Sequence, residues 1–271
     1  MSLIPPEYLF SQHSLRTFVR CPRRFLLKYV DRQPWPAPAR DDDPAYRAHL
    51  EAGRVFHEWI ARALLGIPAE RHDTAIYPGL DLWWQTWQGV DLSALPTVSR
   101  EVELPLVVPL GGHRLYARFD LLAVGDQGEA VIVDWKTLER VPSIVVMQQA
   151  LQTRVYQYAL VAAGQVVTGS APLLPERVRM VYWFADSGAQ LELGYSAAAH
   201  RQNRDYLLAL MDRIAGATRE EMIRTDDVAQ CAGCGYRTLC ERETVKAQAD
   251  SASWLAEDLD FELDQVPEVE F

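Results

Sequence analysis

Apolar residues at helical spacing organise the first third of the chain. They recur every three or four positions over residues 14–19, 25–30 and 45–65, and Gly66 ends the last of these predicted helices. A shorter helix, rich in tryptophan, is predicted over 81–88. The N-terminal part of the protein is therefore expected to be helical.

The hydrophobic pattern changes to a strand period near residue 99. Residues 99–110 and 113–124 are predicted strands, and Gly111 and Gly112 between them suit a tight hairpin turn. Residues 129–136 follow as a third strand, and the uninterrupted run Ala-Val-Ile-Val indicates burial on both faces. Together these segments predict a three-stranded meander.

Helices and strands alternate after the meander. A long helix is predicted over 144–163, a strand over 177–184 and an amphipathic helix over 197–214. Helices, a three-stranded meander, another helix and a fourth strand, in this order, predict a mixed α/β core.

Composition supports a globular protein and excludes two other classes. Of the 271 residues 49% are hydrophobic and 24% charged, so an apolar core can form and whole-chain disorder is excluded. No apolar run approaches the roughly 18 residues that a membrane span needs. No basic stretch precedes an apolar one at the N-terminus, so we expect no secretory signal and a cytoplasmic location.

The net charge of −10 argues at first against a nucleic acid partner. However, residues 250–271 hold eight of the acids and no base, and the rest of the chain carries a formal charge of only −2. Acids alternate with hydrophobic residues in this tail, which is typical of disordered or partner-docking segments. Between residues 11 and 32, in contrast, there are six bases and one acid. The acidic excess thus belongs mostly to the tail, and a basic run lies near the N-terminus.

The cysteines suggest a metal site. They are Cys21, Cys231, Cys234 and Cys240, and the last three follow the pattern C-x2-C-x5-C. Without a secretory signal a disulfide framework is a poor explanation, whereas four thiolates suit a tetrahedral zinc ion or an iron–sulfur cluster. Unligated core cysteines are the alternative. A site formed by all four would connect the two ends of the fold.

Two acids and a lysine lie at the predicted ends of neighbouring strands. Asp120 is near the end of one strand, and Asp134 and Lys136 are at the end of the next and share one of its faces. Pairing of the strands would bring the two carboxylates together, and a hard divalent cation stabilises such a pair. An ion of this kind can activate water for attack on a phosphodiester. A salt bridge between Asp134 and Lys136 is the alternative.

The pattern of Asp, thirteen residues, then Asp-x-Lys resembles the active site of the PD-(D/E)XK nuclease superfamily, and more narrowly its RecB-like branch. That branch includes the CRISPR-associated RecB-like exonucleases and the AddB nuclease domain, in which an iron–sulfur cluster accompanies the nuclease site. Four further segments resemble motifs of the branch, in the expected order: SQHSLRTFVRCPRRFLLKY at 11–29, GRVFH at 53–57, QTRVY at 152–156 and CAGCGYRTLCER at 231–242. The resemblance implies an α/β fold with a restriction-endonuclease-like core, in which helices flank a mixed central sheet.

The resemblance also assigns roles around the metal. His57, Asp120, Asp134 and the main-chain carbonyl of Trp135 would bind Mg²⁺ or Mn²⁺, and the imidazole favours Mn²⁺ alongside Mg²⁺. Lys136 would be the catalytic lysine. A core histidine without a metal is the alternative for His57.

Residues around the predicted metal site receive less specific roles. Gln152 and Tyr156 lie four positions apart on one helix face, so both can point at the site and position the metal shell or the DNA backbone. Ordinary helix packing is the alternative for them. Glu103 can reach the metal shell from the first strand of the meander, but Glu101 could serve as well.

The resemblance implies that Cys21, Cys231, Cys234 and Cys240 bind one 4Fe–4S cluster, which joins the N-terminal and C-terminal helical segments. The basic run beside Cys21 would then contact DNA phosphates. Its members are Arg16, Arg20, Arg23, Arg24 and Lys28.

Four regions follow from these assignments. They are an N-terminal basic helical segment at 1–44, a nuclease core at 45–215 with a Trp-rich insertion near 74–97, a C-terminal cysteine segment at 216–249, and the acidic tail at 250–271.

The predicted function is that of a metal-dependent DNA nuclease. The resemblance implies an exonuclease on single-stranded DNA ends that leaves 5′-phosphate and 3′-hydroxyl products, in DNA repair and recombination or in CRISPR and phage defence. The chain has no G-x-x-x-x-G-K-[ST] motif, so a helicase, recombination or CRISPR partner would supply unwinding, with the acidic tail as one docking segment. The alternatives are a non-catalytic module that binds DNA ends and a cluster- or zinc-based redox sensor. We expect no membrane partner.

Overall fold

The computed structural model describes residues 2–34, 44–67, 77, 79–169, 172–231 and 234–242, with the backbone alone for 44–47. The tail at 250–271 and parts of the Trp-rich segment therefore lie outside the described residues. No helix in these ranges is both long enough and apolar enough to cross a bilayer.

A six-stranded mixed sheet forms the centre of the structure. Its strands are β1 (Leu9–Ser11), β2 (Ser99–Leu110), β3 (His113–Val124), β4 (Ala130–Lys136), β5 (Val178–Phe184) and β6 (Gln190–Gly194).

Strand β3 organises the sheet because three strands pair with it. The hairpin partner β2 runs antiparallel along the full length of β3. On the other edge, β1 pairs in parallel with the start of β3, and β4 pairs antiparallel with its end. Strand β5 continues the sheet in parallel with β4, and β6 is antiparallel to β5. Gly111 adopts φ +59° in the β2–β3 turn, a left-handed conformation that glycine accepts without steric cost.

Helices cover both faces of the sheet, which confirms the predicted mixed α/β architecture. They are α1 (Gln12–Arg20), α2 (Pro22–Phe25, followed by a π-helical turn at Leu26–Val30), α3 (Pro44–Leu64), α4 (Leu80–Gln88), α5 (Ile144–Gln149), α6 (Leu151–Ala162), α7 (Gly164–Thr168) and α8 (Ala197–Gly216).

The two faces of the sheet bury separate hydrophobic cores. Helices α1, α6 and α8 pack over the larger core, which contains Phe119, Ile132 and Met180. Helices α3 and α4 pack over the smaller core, where Phe56 contacts Trp83 and Trp183. The tryptophan-rich helix α4 is therefore part of a core layer against the sheet.

One predicted element is divided in the structure. The helix expected over 144–163 is interrupted at Ala150, whose ψ of 138° is extended, so that α5 and α6 are separate helices. Side-chain hydrogen bonds that join α6 to neighbouring elements form next to this break. The hydroxyl of Thr153 donates to the carbonyl of Met147, and Gln152 donates to Asp134.

Candidate active site

The candidate site lies where β3 and β4 separate. The last pair between these strands is Leu121 with Val133, and Asp120 and Asp134 occupy the next position on each strand. The Asp120 carboxylate enters the gap, and its Oδ2 accepts a hydrogen bond of 2.9 Å from the Trp135 amide. The strands therefore bring the two predicted aspartates together, as their spacing indicated.

Glu103 faces the same gap from β2, directly across from Asp120 in the hairpin register. Its φ of +53° is rare for a residue with a side chain and lies in the middle of a strand. The residues before and after Glu103 also depart from the strict alternation of side chains between the two faces of the sheet. Leu104 packs with the larger core and Val102 with the smaller one, although both positions are even-numbered. The backbone distortion thus re-aims Glu103, and such strain is concentrated at functional sites.

Helix α3 supplies the third member of this group. His57 Nδ1 lies 3.3 Å from Asp120 Oδ2. One ligand atom each from His57, Glu103 and Asp120 lies within 4.8 Å of the other two, the only such set of three among the described residues. Arg118 Nε contacts Glu103 Oε2 at 3.1 Å. The structure therefore selects Glu103 over Glu101 as the acid that approaches the predicted metal site.

The closely spaced carboxylates shift the proton affinities of the group. Burial acts to lower the pKa of His57, but Asp120, Asp134 and Glu103 outweigh it and raise this pKa above its usual value. Burial raises the pKa of Glu103, and the charge of Asp120 raises it further. Three acids therefore act on His57 in a partly buried place, where a bound cation would stabilise their charge.

Asp134 and Lys136 form a buried ion pair beside this group. Lys136 Nζ lies 2.8 Å from Asp134 Oδ2, and the two side chains are only 8% and 3% exposed. The other oxygen, Oδ1, accepts a 2.8 Å hydrogen bond from Gln152 Nε2. The ion pair that the sequence left as an alternative is present, and it lies next to the predicted metal ligands.

The remaining predicted site residues lie close by. The carbonyl of Lys136 accepts a hydrogen bond from the Ala185 amide and so points toward β5. Successive carbonyls of a strand point in opposite directions, so the Trp135 carbonyl points toward β3, the strand that carries Asp120. The ring of Tyr156 is buried and packs edge-on against Phe119.

Three further residues adjoin the site and were not predicted from the sequence. Tyr182 and Thr153 are buried next to Gln152, and Tyr182 Oη lies 2.8 Å from Thr153 Oγ1. His49 Nε2, on α3, lies 3.1 Å from the carbonyl of Thr137, next to Lys136. These residue types have many structural uses, and their relevance follows only from the residues they contact.

The four cysteines line one pocket between α1–α2 and the C-terminal segment. Burial raises the pKa of the Cys234 and Cys240 thiols, and the neighbouring thiols add to this effect. Arg242 Nη1 donates to Cys231 Sγ at 3.0 Å. The basic residues that line the pocket are Arg20, Arg24, Arg224 and Arg237.

Direct contacts also join the N-terminal helices to the C-terminal segment. Arg219 makes a two-pronged contact with Asp31, at 2.7 and 3.0 Å. The Tyr236 hydroxyl donates to the carbonyl of Gln33, and the Arg23 amide donates to the carbonyl of residue 223. The two ends of the fold therefore meet through protein contacts as well as around the cysteines.

The predicted phosphate-binding residues are divided between two environments. Arg20 and Arg24 line the cysteine pocket, and Arg23 acts electrostatically on Asp31 and Cys240. Arg16 contacts His13 on α1, and the Lys28 ammonium lies over the ring of Tyr29. The structure thus places part of the basic run around the thiols.

Comparison with known proteins agrees with the geometry. The sequence profile of the PD-(D/E)XK nuclease superfamily matches residues 9–241. A candidate exonuclease from Eubacterium rectale is 10% identical, with 92% of this chain and 93% of that chain covered and a TM-score of 0.51. The crystal structure of SSO0001 is 16% identical, with 88% and 87% covered and a TM-score of 0.42. A search of curated proteins finds no match. The profile match spans most of the chain, so the protein belongs to the PD-(D/E)XK nuclease superfamily.

Proposed function

We propose that the protein is a metal-dependent DNA exonuclease that acts on single-stranded ends and leaves 5′-phosphate and 3′-hydroxyl products. The observation that carries the proposal is the convergence of His57, Glu103 and Asp120 beside the buried Asp134–Lys136 pair. A structural salt bridge alone would not need three further ligand-type side chains next to it.

The donor set fits a divalent cation. Carboxylate oxygens suit Mg²⁺ and Mn²⁺, and one imidazole nitrogen is better tolerated by Mn²⁺. His57, Glu103 and Asp120 would hold the ion, with Asp134 and the Trp135 carbonyl as the remaining candidate ligands. When bound, the ion would polarise a phosphodiester and make water more acidic.

The protein side chains would position the reacting groups. Lys136 presents an ammonium that can steady negative charge on the phosphate or orient the attacking water. Asp134 holds this ammonium, and Gln152 holds Asp134 through Oδ1. Because the three side chains are buried, each has little freedom to leave its place. Tyr156 would support the site through its packing on Phe119.

Two observations support the exonuclease form of the activity. The Eubacterium rectale protein of similar fold is described as a candidate exonuclease. The sequence has no G-x-x-x-x-G-K-[ST] motif of an ATP-driven helicase, so a DNA end that is already single-stranded is the simplest substrate. Arg16 and Lys28 remain the proposed phosphate contacts outside the cysteine pocket. Arg20, Arg23 and Arg24 would contact phosphates only if DNA passes beside that pocket.

The test uses single-stranded DNA labelled at either end, with Mg²⁺, Mn²⁺ or EDTA. We expect progressive shortening in the presence of metal, and about 10²-fold or greater loss in Asp120→Asn, because the ion loses a central ligand. Asp126→Asn is the matched control, since Asp126 is an exposed acid in the turn after β3. The label that is released first gives the polarity.

The same assay separates the alternatives. Tight binding of DNA ends without cleavage in either metal would indicate a non-catalytic end-binding module. Cleavage of circular single strands would contradict exonuclease action while leaving the nuclease proposal intact.

We propose further that Cys21, Cys231, Cys234 and Cys240 hold a 4Fe–4S cluster and that the protein belongs to the RecB-like branch. All four line one pocket, yet no three of their sulfurs lie within 4.8 Å of one another among the described residues. A tetrahedral zinc ion, with Zn–S bonds of about 2.3 Å, needs closer sulfurs, whereas a four-iron cluster accepts wider spacing. The surrounding arginines would offset the negative charge of four thiolates.

Anaerobic purification tests the cluster. We expect brown protein with about four irons and four sulfides per chain, lost in Cys231→Ser. Stoichiometric zinc without iron would contradict the proposal. Because Arg219 and Tyr236 also join the two ends, the variant should remain folded.

The biological setting we propose is DNA repair and recombination or CRISPR and phage defence, with a helicase or another component of those systems as partner. Capture of partners by the full chain and by a chain ending at residue 249 would test the proposed docking role of the acidic tail. Equal capture by both chains would contradict it.

A further inference from the structure

Tyr182 lies beneath the catalytic pair on the neighbouring strand. In the parallel pairing of β4 with β5 it is the partner of Asp134, and paired residues project from the same face of a sheet. Its side chain is fully buried. The Lys136 ammonium lies 5.5 Å from the centre of its ring. One side chain thus adjoins both members of the ion pair.

The hydroxyl of Tyr182 reaches a third member of the site. It donates to Gln152 Oε1 at 3.4 Å, while Gln152 Nε2 donates to Asp134 Oδ1 at 2.8 Å. An amide has a donor at one end and an acceptor at the other, so a hydroxyl donor at Oε1 favours the orientation in which the NH₂ group faces Asp134. The Tyr182 hydroxyl has a single proton, so donation to Gln152 requires that Thr153 Oγ1, 2.8 Å from Tyr182 Oη, donates to Tyr182 and shares its proton with the Met147 carbonyl.

We propose that Tyr182 is a positioning residue of this site, acting through Gln152 and Lys136. Its hydroxyl sets the amide orientation of Gln152 and thereby holds Asp134. Its ring face attracts the Lys136 ammonium and keeps it on the side where Asp134 Oδ2 lies. The inference deepens the proposed nuclease function and, for its effect on turnover, rests on it.

Tyr182→Phe separates the hydroxyl from the ring, because only one oxygen is removed. We expect kcat on single-stranded DNA to fall about 10–100-fold, with KM changed less than about twofold, since Tyr182 is buried behind the site. Tyr182→Leu, which also removes the ring, should reduce kcat further. The matched control is Tyr195→Phe, which removes a buried hydroxyl that contacts His200 and Asn203 away from the site. Its kinetics should equal those of the parent protein.

A second measurement reports on the positioning itself. In metal-free protein labelled with ¹⁵N-glutamine, the side-chain amide signals of Gln152 are identified by their loss in Gln152→Ala. We expect these signals to move in Tyr182→Phe and to stay in place in Tyr195→Phe. This measurement needs neither metal nor turnover.

The two measurements separate the possible failures. Unmoved Gln152 signals, or an unchanged kcat in an active parent, would overturn the positioning role. An inactive parent in which Tyr182→Phe still moves the Gln152 signals would overturn the nuclease proposal and leave the hydrogen-bond role of Tyr182 standing. If Tyr182→Phe fails to fold, Thr153→Val removes the neighbouring hydroxyl instead, and the same shift of the Gln152 signals is required.

Discussion

Lys136→Met is the perturbation that best separates stability from catalysis in this site. Lys136 and Asp134 are paired at 2.8 Å, with 8% and 3% of their side chains exposed. Methionine has nearly the same length and volume as the lysine stem, so packing against Tyr182 is kept while the positive charge is lost. Asp134 then keeps Gln152 as a hydrogen-bond donor but has no cation.

The expected loss follows from the burial of the pair. Removing one partner of a buried ion pair leaves an uncompensated charge and costs about 3–5 kcal/mol of unfolding free energy. Replacing both partners by neutral groups is often close to neutral, because the desolvation penalty disappears together with the attraction. Asp134→Asn combined with Lys136→Met should therefore recover most of the stability, and both variants should be inactive.

Urea unfolding in EDTA measures these differences, since chelation prevents a bound metal from replacing the lysine charge. Arg179→Met is the matched control. Its partner is Glu192 at 3.0 Å across β5 and β6, but both side chains are about half exposed. An exposed pair of this kind contributes about 0–1 kcal/mol.

Two results would refute the reasoning. If Lys136→Met unfolded at the same urea concentration as Arg179→Met, the pair would not be as buried as the structure indicates. If the double variant were less stable than Lys136→Met, the ion pair would itself be a strong net source of stability.

Three further predictions concern the metal group and the joined ends of the fold. Facing carboxylates raise the pKa of His57 above its ordinary 6.5, and a metal binds the neutral imidazole. The Mn²⁺ affinity measured by calorimetry should therefore rise with pH through and above 6.5, and binding should release protons. His57→Asn should make the affinity depend less on pH. Glu103→Gly should bind Mn²⁺ as weakly as Glu103→Gln but should be more stable to urea by about 1 kcal/mol. A positive φ costs a residue with a side chain about 1–2 kcal/mol, and the flexibility of unfolded glycine offsets part of the gain. Equal stability of the two variants would contradict the backbone strain. The Arg219 contact lowers the pKa of Asp31, so it stabilises the fold above the ordinary Asp pKa and this contribution is lost as pH falls. Arg219→Gln should therefore lower stability at pH 7, and a difference that persists unchanged in acid would show that the charge of Asp31 is not the cause.

Periodicity predicted the central sheet well where strands are long. The hairpin strands 99–110 and 113–124 have the predicted bounds, because two glycines and a clear strand pattern define them. Strand β1 has three residues and β6 five at the sheet edge, and neither carries a pattern long enough to recognise. The break at Ala150 was also not predicted, because alanine favours helix and the local sequence contains no residue that would interrupt one.

The candidate site was predictable to the extent that spacing encodes it. The alternation of side chains on a strand placed Asp134 and Lys136 on one face, and strand pairing brought Asp120 beside them. The choice between Glu103 and Glu101 required knowledge of the backbone conformation of Glu103, whose φ of +53° is not predicted by any residue pattern. The position of Arg20 at the cysteine pocket likewise depends on how two distant segments meet.

That meeting of distant segments has a consequence for synthesis on the ribosome. Cys21 leaves the ribosome 210 positions ahead of Cys231, a delay of about 10–40 s at the usual elongation rates of roughly 5–20 residues per second. During this interval the first thiol, and the surface that later receives Tyr236 and Arg219, have no partners from the C-terminal segment. The cysteine pocket is therefore complete only after Cys240 has been made, and a chain that stops before Cys231 lacks three of its four thiols.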